Sequence, residues 1–204
     1  TLTFARCKFA FGLAVASALL IAAPAAAHKL RQGGVAVPVA ASTLTVTPSR
    51  DWNQLSGTIG KNTQSWTLDG VQLNDVTFYG GIPAGKPLVK ERNKKHQPLP
   101  KFTRETLLIE VPELLERTYR TYKELAAFRL LSTDPAPFLG TEGVIFRYEF
   151  TDKDELTRTG EARAAIVGGK LYMITFDAPR LNFYARSAAD FHALADSARL
   201  QSPR

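Results

Sequence analysis

The chain has 204 residues, of which 45% are hydrophobic, 22% charged and 10% aromatic, and its 26 Lys and Arg outnumber 19 Asp and Glu for a net charge of +7. Such a composition excludes a disordered or fibrous chain, and the length allows one domain with a real core but not two large ones. The single cysteine is Cys7, so the rest of the chain has no disulfide framework, thiol nucleophile or thiolate metal site.

Arg6 and Lys8 precede an apolar run from Phe9 to Ile21, which ends in Ala22-Ala23-Pro24-Ala25-Ala26-Ala27. A positive start, an apolar middle and an Ala-x-Ala end predict a signal peptide over residues 1–27, cut before His28. The alternative is an uncleaved anchor over Phe9 to Ala27, against which Pro24 and the small-residue end both weigh. Ala27-His28 stands where a lipoprotein signal would place Cys. The predicted product is a periplasmic or secreted protein of 177 residues with net charge +5 and no stable membrane insertion.

Residues 28–43, with Gly33-Gly34 and Val35 to Ala41, have no periodic face and read as a flexible linker. A single domain is then expected over 44–204. Leu44 to Thr47 is a strand signal closed by Pro48-Ser49-Arg50-Asp51, and Gln64–Leu68 and Val71–Tyr79 are two more, joined by Asp69-Gly70 and closed by Gly80-Gly81. Between Gly81 and Thr103, Pro83, Pro87, Pro98 and Pro100 are mixed with Lys86, Lys90, Arg92, Lys94, Lys95, His96 and Lys101. This reads as a long basic loop, which in a compact domain is functional or mobile.

Pro112 opens a helix whose face is Leu115, Tyr119, Tyr122 and Ala126, supported by the i,i+4 pairs Glu113–Arg117 and Glu116–Arg120. Val144, Phe146, Tyr148 and Phe150 alternate with Ile145, Arg147 and Glu149, predicting a strand with one buried face. Asp152-Lys153-Asp154 turns into a second strand over Leu156–Val167. Gly168-Gly169 turns into a third over Lys170–Phe176, which completes an antiparallel meander. Ser187 is expected to cap a last helix carrying Phe191, Leu194, Ala195 and Ala198. Together these elements predict an α+β fold, an antiparallel β-sheet packed by helices on one side.

The run Gly168-Gly169-Lys170-Leu171-Tyr172-Met173-Ile174-Thr175-Phe176, followed by Ala178-Pro179, Phe183-Tyr184 and a helix with Phe191 and Ser197, resembles the end of Mog1/PsbP-like domains. Val46-Thr47-Pro48 with Asp51-Trp52 is similar to their opening strand and turn, so the resemblance covers roughly residues 44 to 200. It implies the fold, and a role in binding or assembly, since the family includes photosystem accessory proteins, a Ran-binding protein, envelope lipoproteins and secretion-system adaptors. It transfers no catalytic residue.

The search for chemistry ends mostly on structure. His28, His96 and His192 stand at no metal-ligand spacing. His192 and Asp196 read as a surface i,i+4 pair without a nucleophile motif, Asp152 and Asp154 as turn residues that match no calcium loop, and Gly80-Gly81 and Gly168-Gly169 as turns. No catalytic residue, metal site or cofactor is predicted, and the chain reads as a non-enzyme.

The strongest departure from a bland surface is the segment from Lys90 to His96, whose Lys90, Arg92, Lys94, Lys95 and His96 are the expected partner-binding residues. Without interleaved aromatics it does not fit nucleic acid, and its charge suits an anionic protein face or the envelope surface. The alternative function is a carrier of a small apolar ligand held between helix and sheet. Tyr119, Tyr122, Phe128, Trp52, Trp66 and Phe138 would line such a pocket or simply fill the core.

Overall fold

A computed structural model describes residues 29–57 and 59–201. The signal-peptide reading and His28 therefore lie outside the described residues. Among the described residues, thirteen strands and two α-helices follow in chain order. They are β1 (Lys29–Arg31), β2 (Val37–Pro38), β3 (Leu44–Val46), β4 (Trp52–Gln54), β5 (Thr63–Thr67), β6 (Asp75–Pro83), β7 (Lys86–Pro87), β8 (Lys101–Phe102), α1 (Val111–Tyr122), β9 (Ala127–Pro135), β10 (Gly143–Thr151), β11 (Thr157–Val167), β12 (Lys170–Pro179), α2 (Phe183–Asp196) and β13 (Arg199–Leu200).

The main sheet is antiparallel throughout, in the order β1-β4-β5-β6-β12-β11-β10-β9. The predicted meander β10-β11-β12 is antiparallel, and β12 continues to Pro179. Along β12, all residues from Leu171 to Pro179 are buried, so both faces of the sheet need cover. Tyr172, Ile174, Phe176 and Ala178 pack with Phe191 and Leu194 of α2, while Leu171 and Met173 pack with Leu115 and Tyr119 of α1. The fold is the expected α+β class, with an antiparallel sheet packed by helices. Its two helices are divided between the faces, α2 over one core and α1 over the other.

Residues 29–43 are not a linker. β1 pairs with β4, β2 pairs with β3, and Val39 and Ala40 are buried. The segment lacks periodicity because its strands are two or three residues long and are fixed by partners distant in sequence. Trp52 and Trp66 are fully buried in the α2-side core with Phe138, filling it rather than lining a pocket.

Three predicted boundaries shift. Residues 68–74 form a loop built on the Asn74 side chain, whose Oδ1 accepts from Leu68 N at 2.7 Å, so β6 starts at Asp75 and not at Val71. Gly80-Gly81 is not a turn but a bulge inside β6, where the ladder slips beside Tyr172 and Gly81 has φ +76°. The last helix begins four residues before Ser187, after Asn182 at φ +68°, and Ser187 is buried inside it.

Candidate functional site

The basic segment is better ordered than a loop lacking apolar period suggests. β7 and β8 form a short ribbon, and Leu88, Val89, Leu99 and Phe102 are buried in the α1-side core. Leu88 O accepts from Thr63 Oγ1 at 2.8 Å, and Lys90 N donates to Ile59 O at 2.7 Å. The tip closes on Asn93, whose backbone O accepts from Gln97 N at 2.8 Å and whose Oδ1 accepts from His96 N at 3.2 Å. Glu91 Oε1 accepts from Leu99 N at 3.1 Å. The tip from Arg92 to Pro98 is exposed throughout, as is Lys90 at its base.

Lys90, Arg92, Lys94, Lys95 and His96 thus sit together on one anchored protrusion. Among the described residues none of them forms an ion pair. Arg92 turns back over the Tyr122 ring of α1, 4.2 Å from its centroid, a geometry that holds a guanidinium while leaving its charge free.

Behind Tyr122 lies a polar cluster that the sequence reading missed. Asp177 of β12 is 2% exposed, and its Oδ2 accepts from Tyr119 OH at 2.7 Å and Lys123 Nζ at 2.8 Å, while its Oδ1 accepts from Tyr148 OH at 2.7 Å. Asp75 of β6 is its cross-strand partner in register, with Thr77 and Tyr79 further along the same face. Burial drives the phenols of Tyr79, Tyr119 and Tyr148 far above their ordinary range, so all three keep their protons, and Tyr119 and Tyr148 donate theirs to Asp177. Burial also raises the Asp75 carboxyl to about 6, against which the nearby Lys123 ammonium pulls downward.

Gly160 on β11 makes the Tyr148–Asp177 bond possible. A Cβ there would overlap the Tyr148 ring and stand 2.7 Å from Asp177 Oδ1. Gly160→Ala is therefore expected to lower stability by about 1–3 kcal/mol, read from the urea midpoint, and an unchanged midpoint would contradict this placement of Tyr148.

Two cavities meet at Asp75, Tyr122 and Lys123. The inner one, 220 Å³ between α1 and β5–β6, is bounded by Leu55, Ile59, Val89 and Tyr79. The outer one, 380 Å³, carries Arg92, Arg158, Asp152 and Lys153. A separate apolar recess of 720 Å³ lies between Leu108-Ile109 and the end of β9.

Other single residues resolve into structure. His192 Nε2 meets Glu161 Oε1 at 3.1 Å rather than Asp196, which instead pairs with Arg163 across from β11. Asp152 Oδ1 accepts from Asp154 N and Leu156 N, both at 3.0 Å, and so builds the turn. Among the described residues no three potential ligands cluster for a metal ion, and no helix is long and apolar enough to cross a membrane.

An antiparallel sheet flanked by α1 and α2, with the β10–β12 meander leading into the last helix, is a Mog1/PsbP-like fold. One solved structure with this likeness is the cyanobacterial PsbP (CyanoP) of Synechocystis sp. PCC 6803, with TM-score 0.53 and 11% identity over 87% of this chain and 94% of that one. The Ran-binding protein Mog1p of Saccharomyces cerevisiae matches at TM-score 0.47 and 9% identity, over 85% of this chain and 96% of its own. A protein of Bacteroides thetaiotaomicron VPI-5482 matches at TM-score 0.49 and 10% identity over 84% of this chain, which spans only half of that longer chain. No family model and no curated protein sequence matches the chain.

Proposed function

We propose that this chain is an exported, non-catalytic binding protein that engages the acidic face of a partner protein through the tip carrying Lys90, Arg92, Lys94, Lys95 and His96. The observation that carries this reading is a set of exposed basic side chains, without an ion pair among the described residues, on a protrusion whose base is buried. A preset cationic surface loses little conformational entropy on association, and its charge raises the rate of encounter with an anionic partner. The Arg6 to Ala27 segment supports export. The buried cluster supports a role without chemistry, because Asp177 spends its lone pairs on two phenols and an ammonium that hold α1 to the sheet.

The test is capture from an envelope extract with the wild type beside K90E/R92E/K94E/K95E. The account expects a specific protein retained by the wild type and lost with the variant. Equal retention by both would reject the loop as the contact. The changed side chains are exposed, so unfolding is not expected to explain a loss.

A second reading, a carrier of a small ligand between helix and sheet, is favoured by the 220 Å³ cavity under α1. The two readings use different parts of the molecule and share only the Arg92–Tyr122 contact.

A further inference from the structure

We propose that the cavity beneath the C-terminal half of α1 binds a small amphiphilic amine, with the ammonium group on Asp75 and a short apolar tail among Leu55, Ile59, Val71, Val89 and Tyr79. This deepens the ligand reading above and rests on it.

Three observations fix the chemistry. The inner cavity is mostly apolar, yet Asp75 stands where it opens into the outer one, so a ligand entering there meets a carboxylate first and apolar walls beyond. The carboxylate is also underused. Its one side-chain hydrogen bond among the described residues comes from Thr77 Oγ1 at a long 3.4 Å. The two cations that act on Asp75 are committed elsewhere, Lys123 to Asp177 at 2.8 Å and Arg158 to Asp152 at 3.4 Å and to Gln72 O at 2.9 Å, while Arg92 and Lys153 line the outer cavity and not the inner one. Asp75 and Asp177 thus face one another across the ladder with a single ammonium between them, which leaves one negative charge to be met by a cation.

Lys123 shows how the site treats such a group. Its ammonium lies 4.0 Å from the Tyr119 ring centroid and 5.2 Å from that of Phe150 while bonding a carboxylate. A ligand ammonium at Asp75 would repeat the same recognition, a carboxylate flanked by aromatic rings in a partly desolvated place. The raised Asp75 carboxyl agrees with an acid that lacks its cation.

The probes are n-hexylammonium, 1-hexanol and hexanoate, titrated calorimetrically into the wild type, Asp75→Asn and Val71→Trp. Val71 is 47% exposed and borders both cavities, so a large ring there obstructs the entrance without disturbing the core. The proposal expects hexylammonium to bind at least about tenfold more tightly than either other probe, and to lose at least about tenfold in Asp75→Asn. It also expects weakened binding in Val71→Trp. If hexanol binds as well as the amine, the amine assignment fails and the carrier reading survives. If hexanoate binds best, Lys123 and Arg92 are the recognition groups and the proposal is overturned. If no probe binds, both readings fail. Thermal melts of each variant report folding, and Val71→Trp decides the matter should Asp75→Asn not fold.

Discussion

Asp177→Ala is expected to destabilise the protein by about 3–5 kcal/mol, the size seen when one partner of a buried ion pair is removed. The carboxylate is buried and receives three charge-assisted hydrogen bonds, from Tyr119, Tyr148 and Lys123. Removing it leaves the Tyr148 phenol proton without its acceptor, the Tyr119 phenol with only a long 3.5 Å contact to Thr175 Oγ1, and one ammonium without its counter-ion. It also loosens α1, whose Tyr119 and neighbouring Lys123 are held to β12 mainly through this group. Urea unfolding measures the effect, and Asp177→Asn, which keeps acceptor oxygen but no charge, is expected to fall between. A loss under about 1 kcal/mol, the range of an ordinary surface change, would show that the cluster does not hold the helix.

Asp75→Asn is expected to do the reverse and stabilise the protein near pH 8, by about 1–3 kcal/mol. Burial raises this carboxyl from the ordinary 3.8 to about 6. Between those values the folded state holds a proton that the unfolded state has released. The contribution of Asp75 to stability is therefore complete below about pH 4, declines as pH rises through the interval, and stays diminished above about pH 6. An asparagine of the same shape avoids that penalty, so the gain of the variant appears only as pH rises. Part of the residue opens to the cavity, which places the gain below the full value of the shift. Thermal melts of both proteins at pH 4 and pH 8 check this, and a variant no more stable than the wild type at pH 8 would contradict it. A residue that lowers stability at neutral pH while lining a cavity fits a group kept for binding.

The two predicted effects have opposite signs although the residues are neighbours on one face. The difference lies in partners: Asp177 has three donors, and Asp75 has one at the limit of hydrogen-bond distance.

Much of the fold was legible where one physical pattern dominates. In the meander, Phe146, Tyr148 and Phe150 alternate with polar residues, and each strand pairs with its neighbour in sequence. β9 gave no such signal. It is an edge strand, its Leu130 and Leu131 are both exposed, and a bulge opposite Arg147 and Tyr148 breaks its alternation. β1 and β2 are too short to show a period and depend on β4 and β3 for their existence. The early start of α2 was hidden because Asn182, not Ser187, occupies the boundary, at φ +68° and ψ −46° in a tight turn closed by Phe183 N donating to Leu181 O at 2.8 Å, with no side-chain cap to mark it.

The site was legible only in part. The cations of the tip were visible as a charge run, but their anchoring by Leu88, Val89, Leu99 and Phe102 was not, since those residues are spaced by the path of the loop and not by a helix or strand period. Asp75 and Asp177 lie about a hundred residues apart, the first inside the predicted strand Val71–Tyr79 and the second just past Phe176, so nothing local in the sequence joins them. A usable signal was present: Asp75, Thr77 and Tyr79 share one parity, as do Thr175 and Asp177, and an acid in phase with a tyrosine inside an otherwise apolar strand marks a buried polar network.

The most direct test of the central claim is the affinity of the captured partner for the wild type and for K90E/R92E/K94E/K95E, measured at salt from about 50 to 300 mM, where the screening length shortens across the width of the tip. The account predicts wild-type affinity that falls steeply with salt, and weak binding by the variant at every salt concentration. Equal affinities with the same salt dependence would contradict it.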